Sequence, residues 1–427
     1  MTDTPQPDPP ASGQAPAPAP GTTPTRPAAP AEESFGQRFA RELTTGSIMI
    51  TFLSVVLALF IGGLLIAISD PGVQDSASYF FSRPGDTISA AWDSVSGAYS
   101  ALFTGSVVDF GEYTLGRALR PLAETLTNAA PLIAAGLGVA LAFRAGLFNI
   151  GAEGQIIIAA IFAGYVGFAW DLPVGLHLVL GVLAGMLGGA LWAGIAGALK
   201  ARSGAHEVIV TIMLNYIARF LIAYLLITSA FQRPGASNPV SPVVAESAQF
   251  PRFFEGTRFH GGFFVAILAA VVVWWLLSRS TLGFEFRAVG ANPHAARTAG
   301  MSVGRTYVTV MLIAGALAGL AGVMQVLGTE RYLTTGISSG LGFDAITVAL
   351  LGRASPWGTV AAGLLFGALR AGGVTMQAGT GTPIDIILVI QSLIVLFIAA
   401  PPLIRSIFRI KVRSAGPVGG LSEGWNA

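Results

Sequence analysis

From Arg144 to Gln155 the chain reads R-A-G-L-F-N-I-G-A-E-G-Q, with long apolar, Gly/Ala-rich sequence on both sides. The run puts Asn149, Glu153 and Gln155 inside what is otherwise membrane-spanning sequence. An ionisable side chain at such depth costs roughly 2.5 kcal/mol or more, so it is kept where it faces a protein interior or a wet pathway. Gly146, Gly151 and Gly154 in the same run argue against a smooth, continuous helix. A helix that breaks in mid-membrane exposes backbone groups and half-helix ends, which is how many transporters build a route.

Composition sets the class. Of 427 residues, 53% are hydrophobic and only 11% charged, which implies an all-α, polytopic membrane protein. A formal net charge of +2, with no basic stripe carrying interleaved aromatics, argues against a nucleic-acid partner. With no cysteines, disulfides, thiolate metal sites and cysteine nucleophiles are excluded. Lysine occurs only at Lys200 and Lys411, and neither follows a glycine or precedes Ser/Thr, so the chain has no P-loop. His177, His206, His260 and His294 lie far apart without the i, i+4 spacing of a helical metal pair, and no serine sits in a nucleophile elbow. No catalytic or metal-binding residue is therefore expected.

Residues 1–34 are nearly all Pro, Ala, Gly, Ser, Thr and Gln, a composition too poor in apolar surface to offset its ordering entropy, and are expected to form a disordered cytoplasmic tail. They lack the basic start and apolar run of a cleavable signal peptide. Phe35, Phe39 and Leu43 beside Arg38 and Arg41 fit a short surface helix, or equally an extension of the first span. A membrane domain is expected over 35–410 and a cytoplasmic tail over 411–427. Apolar segments fall at about 48–68, 122–143, 153–170, 173–199, 207–228, 263–277, 306–328, 343–352, 357–372 and 383–404, which makes about ten crossings. Between the first two, Ile88, Trp92, Val95, Tyr99 and Leu102 recur at helical spacing after Asp86 and predict an interfacial helix outside the cytoplasm. The loop at 278–305 carries Arg279, Arg287, Arg297 and Arg305 against Glu285, and the C-terminal tail is basic as well. Ten crossings put that loop and both termini in the cytoplasm, as the positive-inside rule requires, provided the short 343–352 piece crosses.

V-A-L-A-F-R-A at 139–145 matches V-A-L-L-G-R-A at 348–354, and each precedes a Gly-containing break, so an internal pseudo-repeat is one reading and chance likeness of apolar runs the other. Gly181, Gly185 and Gly189, with Gly315 and Gly319, have the four-residue spacing of close helix packing. Polar residues within spans are Asn128, Asn149, Glu153, Gln155, Asn215, Gln325, Asp344 and Gln391. Amides and carboxylates offer both donors and acceptors, which suits a polyhydroxylated or heterocyclic solute, although each could simply bond a neighbouring helix. Glu153 could also cap exposed amides at a helix start. In A-N-P-H-A-A-R-T-A-G at 291–300, Asn292 is a good N-cap, Pro293 suits the first turn and Gly300 the position past the end. That short helix, with Ala295, Ala296 and Ala299 on its surface, either docks in another protein's groove or is an ordinary loop helix.

G-L-F-N-I-G-A-E-G-Q at 146–155, F-R-A-V-G-A-N-P-H-A-A-R-T-A-G at 286–300 and G-F-D-A-I-T-V-A-L-L-G at 342–352, followed by Pro356 and Gly358, resemble the permease subunits of bacterial ABC importers. The resemblance is to the subgroup for nucleosides and simple sugars, related more distantly to branched-chain amino acid and ribose permeases. It implies half of a pore in the cytoplasmic membrane, surrounded by lipid and paired with a second, related permease chain. A cytoplasmic ABC ATPase would hydrolyse ATP, so this chain would hold no cofactor, and an extracytoplasmic binding lipoprotein would deliver solute. Nucleosides are the implied cargo, with simple sugars or branched-chain amino acids as alternatives. The implied pathway residues are Asn149, Glu153, Gln155, Asn128, Asn215 and Asp344, and the implied ATPase-coupling residues Asn292, Pro293, Ala296, Arg297 and Gly300. From a different class, an ion-coupled secondary transporter would use Glu153 or Asp344 as its proton or sodium site.

Overall fold

A computed structural model describes residues 47–409, so the expectations for the 1–34 tail, the Phe35–Leu43 helix and the 411–427 tail lie outside the described residues. Apolar runs bounded by Pro, Gly and Asp give helices α1 (Ser47–Ser69), α2 (Pro71–Ala77), α3 (Pro84–Thr104), α4 (Leu115–Ala118), α5 (Arg120–Arg144), α6 (Ala152–Ala169), α7 (Leu176–Ser203) and α8 (Glu207–Leu225). After a long loop follow α9 (Gly262–Arg279), α10 (Thr281–Ala291), α11 (Pro293–Thr298) and α12 (Val303–Met324), which ends in a π-helical turn at Gln325–Thr329. The chain closes with α13 (Leu341–Leu351), α14 (Pro356–Thr380), α15 (Asp385–Ala399) and α16 (Pro401–Ile407).

Among the described residues eight helices are long and apolar enough to cross a bilayer, and a ninth crossing appears if α15 and α16, bent by 93°, count as one. Pro401 opens α16, and the missing N–H and ring clash of a proline account for such a bend. The 343–352 piece differs from expectation. As α13 it has 11 residues, and such a helix is ~16 Å long, about half of a ~30 Å hydrocarbon core. The rest of that crossing is not helical. Leu333 N–H donates to Ser241 Oγ (2.8 Å) in the α8–α9 loop, whereas the Ala354 carbonyl accepts from Arg144 Nε (2.9 Å) at the far end of α5. Residues 330–351 thus travel between the two ends of the bundle, through a run of turns first and a helix second. Helix cannot begin earlier because Ser339 and Gly340 take left-handed φ of 46° and 75°.

The core is built by close approach. Gly185 and Gly189 of α7 meet Gly315 and Gly319 of α12 backbone to backbone, so small residues do pack these helices. Helix α5 is the hub, buried continuously from Ala129 to Ala142 among α9, α12, α13 and α14. Much of the periphery is apolar: Val179, Leu183, Leu187 and Leu191 line the outer face of α7, and Met213, Ile217, Phe220 and Tyr224 lie with Arg219 on that of α8. Exposed apolar bands of this kind are lipid contacts in a chain that crosses a membrane.

Helix α3 is wedged in rather than lying flat. Ser94 Oγ donates to Asp70 Oδ2 (2.8 Å), Tyr99 OH donates to the Leu59 carbonyl within α1, and Gly105 abuts Thr375 of α14. On its first half Ile88 and Trp92 stay exposed. The amphipathic spacing predicted the helix, and the small residues opposite it (Gly63, Gly372) admit its second half between α1 and α14.

At the Glu124 end of the bundle, Arg258 pairs with Glu124 (2.8 Å) and His260 is buried against Phe250. His260 Nδ1 accepts the Gly262 N–H (3.1 Å), so the ring is held neutral with its proton on Nε2, facing Thr329 Oγ1 at 3.2 Å. Burial first, then the charges of Arg252 and Arg331, pushes this imidazole from 6.5 down to about 4. A histidine with a depressed folded value contributes stability that is complete above its unfolded value and lost as pH falls through the folded one. Thermal unfolding of the detergent-solubilised protein should therefore show a midpoint that falls between pH 6.5 and about pH 4. His260→Gln should flatten that part of the profile.

Candidate functional site

The Gly-rich break after α5 is organised by amides. Gly146 turns the chain with φ 71°, and residues 147–151 run back towards the bundle centre before α6 begins. A helix start leaves backbone N–H groups without intrahelical partners, which burial makes costly. Asn149 Oδ1 accepts from Gly151 N–H (2.9 Å) and from Gln155 Nε2 (3.0 Å), while its Nδ2 faces Gln155 Oε1 at 3.2 Å. Asn215 of α8 takes the next group: its Oδ1 accepts the Gly154 N–H (2.9 Å) and its Nδ2 donates to the Ile150 carbonyl (3.0 Å). Asn149 and Gln155 are each 1% exposed and Asn215 8%, so this trio is bonded to itself and to backbone.

Glu153 points elsewhere. Its Oε2 accepts the N–H of Gly342, the second residue of α13, at 2.8 Å. The starts of α6 and α13 thus meet, and they meet closely: a β-carbon on Gly342 would overlap the Glu153 backbone. Asn215 lies eight residues into α8 and Gly342 nine residues before the end of α13, which puts the junction ~12–13 Å inside the bundle from the Glu207 end. Two positive helix termini converge there, and the carboxylate between them stabilises both.

Beside the junction, Asp344 Oδ2 lies 3.7 Å from Arg370 Nη1 of α14, and Arg370 Nη2 donates to the Ser339 carbonyl (2.7 Å). Sequence reading missed Arg370 because the span was ended at 372, which would leave this arginine at an interface. The helix runs on to Thr380, and the signal for that end was Gly381, which takes φ 71° past the last turn, with Pro383 beyond it. Asn128 is not part of the cluster. It donates back to the Glu124 carbonyl (2.8 Å) within α5, near the Arg258 end. At the other end Glu207 binds Lys200 (2.5 Å) and approaches the Phe148 N–H (3.5 Å), fixing where the broken segment leaves α5.

In the basic loop, Asn292 Oδ1 accepts from the N–H groups of His294 (3.0 Å) and Ala295 (3.1 Å), Pro293 opens α11, and Gly300 takes φ 85° past its end. Ala296 is turned inward, 4% exposed, against Val289 and Val303. The free face presents His294, Arg297 and Thr298. Ala296 lies one turn from Asn292 on the side that packs, so helical period rather than side-chain size decides which alanines show.

A family described as the permease component of the branched-chain amino acid transport system matches residues 122–399, nearly two thirds of the sequence. The chain belongs to this permease family. It is 42% identical over 326 residues to the guanosine ABC transporter permease protein NupP of Bacillus subtilis, covering 75% of this chain and 91% of that one. The glucose ABC transporter permease protein TsgB13 of Haloferax volcanii is 37% identical (65% and 75% covered), as is the nucleoside permease protein NupB of Lactococcus lactis (66% and 79%). Each of the last-named bacterium and Bacillus subtilis also has a second, more distant relative of this permease, NupC and NupQ. No solved structure matches. The protein is accordingly a multi-pass membrane permease of an ABC transporter, a transport component rather than an enzyme.

The amide trio has a measurable consequence in this permease. Asn215→Ala leaves the Gly154 N–H and the Ile150 carbonyl buried without partners, a loss of about 1–3 kcal/mol per orphaned group. Asn149→Ala and Gln155→Ala together should destabilise by less than the sum of the single changes, because each already breaks the shared pair. Thermal midpoints of the purified variants, referred to the unchanged protein, check both.

Proposed function

We propose that the permease forms one half of an ATP-driven importer that carries nucleosides across the cytoplasmic membrane. The observation that carries the reading is its 42% identity over 91% of the length of a permease named for guanosine. The site is compatible in chemistry: a polar, partly exposed edge beside the Glu153 junction offers both acceptors and donors at membrane depth. A second reading, a simple-sugar cargo, is favoured by the 37% identity to a permease named for glucose.

In this reading the Lys200, Arg279 and Arg297 end faces the cytoplasm, and both termini lie there. Helix α11 seats on a cytoplasmic ABC ATPase through His294, Arg297 and Thr298, with Asn292, Pro293 and Gly300 shaping the helix and Ala296 anchoring it. ATP is hydrolysed by that partner, and this chain carries no cofactor. A second permease chain completes the pore, as the paired relatives in two bacteria suggest. An extracytoplasmic binding lipoprotein docks around the α8–α9 loop. Glu153 and Asp344 border the route, and Asn149, Gln155 and Asn215 hold its wall in shape. Glu153 accepts the Gly342 N–H and the charge of Asp344 is balanced by Arg370, which speaks against an uncompensated carboxylate for ion coupling.

The test is uptake by the complete importer in proteoliposomes. Guanosine should accumulate with ATP present, stop when the ATPase is omitted, and fall about tenfold or more in Arg297→Glu, because a reversed charge at a docking face costs several kcal/mol. Accumulation driven by an ion gradient in liposomes holding this chain alone would overturn the importer reading, and glucose uptake without guanosine uptake would select the sugar reading.

A further inference from the structure

Among the described residues most of the perimeter at membrane depth is apolar; Arg219 of α8 is exposed six residues from that helix's end, and one edge carries several polar side chains together. Between the non-helical approach at 330–340 and the second half of α14 stand Thr335, Ser339, Asp344, Thr347 and Arg370, all at least partly exposed. Arg370 is ten residues from one end of α14 and fourteen from the other, so its backbone sits ~15 Å from the nearer end, and its guanidinium is held at the Ser339 carbonyl rather than snorkelling out as an arginine near a terminus does. Asp344 lies three residues past the start of α13, at the depth of the Glu153 junction. A charged pair of this kind, with side chains 27% and 31% exposed, cannot face hydrocarbon. Such an edge faces water or a second protein chain.

The pair is also incompletely used. At 3.7 Å its contact is too long for a hydrogen bond, so the Asp344 oxygens keep acceptor capacity. Arg370 spends one good donor on the Ser339 carbonyl, which fixes the guanidinium against the non-helical segment and leaves further N–H groups towards the edge. Two opposite charges sum to zero, which suits a neutral polar solute better than an ion, since an ion would leave one member uncompensated at low dielectric.

We propose that Asp344 and Arg370 form a solute-contacting station in the wall of the route. One carboxylate oxygen accepts from each of two neighbouring hydroxyls of a ribosyl or sugar ring, and the guanidinium donates to a ring nitrogen or carbonyl oxygen. Arg370 and the Ser339 carbonyl hold the station in register with α13. The inference rests on the importer reading above, and on its nucleoside form for the choice of probe.

The experiment compares guanosine with 2′-deoxyguanosine uptake by the complete importer, each expressed as variant over unchanged protein so that preferences of the delivery partner cancel. In Asp344→Asn, guanosine uptake should fall about tenfold or more and 2′-deoxyguanosine uptake less than about threefold, because the hydroxyl that loses its acceptor is absent from the second solute. Arg370→Lys, which keeps the charge but loses the fork, should raise the KM for both while changing the maximal rate little. The exchange Asp344→Arg with Arg370→Asp should restore thermal stability but not discrimination between the solutes. Equal losses for both solutes, unchanged uptake, or full rescue by the exchange would each overturn the station and leave a structural ion pair. Transport of glucose but not guanosine by the unchanged protein would sink the nucleoside reading alone, and the same comparison then runs with glucose and 2-deoxyglucose.

Discussion

A carboxylate placed at mid-membrane is expensive, and this fold depends on one that is made affordable by what it touches. Glu153 accepts the Gly342 N–H at 2.8 Å, bridging the starts of α6 and α13. A hydrogen bond to a charged acceptor is worth about 1.5–3 kcal/mol, and two helix termini add a favourable field. Without that contact α13 would begin in the membrane interior with free amides, and the turns before it would lose their anchor. The junction also demands a residue without a β-carbon at 342, since the backbones of Gly342 and Glu153 touch.

The other contacts of α13 follow from the same constraint. At its far end the Ala354 carbonyl is held by Arg144, the last residue of α5, and Arg353 and Ala354 take φ of 54° and 48° to make the turn into α14. Arg144 in turn presses its carbonyl on Gly290 of α10, the helix that leads into α11. A continuous set of contacts, backbone to backbone at Gly290 and through the Arg144 side chain at Ala354, therefore joins the helix leading into α11 to the half-helix that carries Asp344. The two stretches that match in sequence, 139–145 and 348–354, both close a helix, and their ends are bonded to each other through Arg144 and Ala354.

Much of this was legible in the sequence because it rests on local chemistry. Apolar length gave the long spans, Asn292 with Pro293 and Gly300 gave α11, and a carboxylate among glycines gave the break at 144–155. What stayed hidden depends on partners distant in the chain. Nothing near Glu153 names Gly342, 189 residues away, as its partner. Nor does amide type separate Asn149 and Asn215, both turned onto backbone, from Asp344 at a partly exposed edge. The half-helix was mistaken for a whole crossing because hydropathy reports how apolar a segment is, not whether the polar Ser338–Gly340 turn ahead of it also lies within the bilayer. Arg370 was overlooked because the span was ended at about 372, two residues beyond it, whereas α14 runs to Thr380.

The natural absence of cysteine makes one measurement decisive. Single cysteines placed along 335–350 in the assembled importer can be reacted in membranes with a water-soluble, lipid-impermeant thiol reagent. A broken crossing at a wet edge predicts labelling at Thr335 and Ser339, continuing at Asp344 and Thr347, with protection at the buried Ala345 and Val348. Protection at all these positions, matching that of Leu187→Cys on the lipid face of α7, would contradict it.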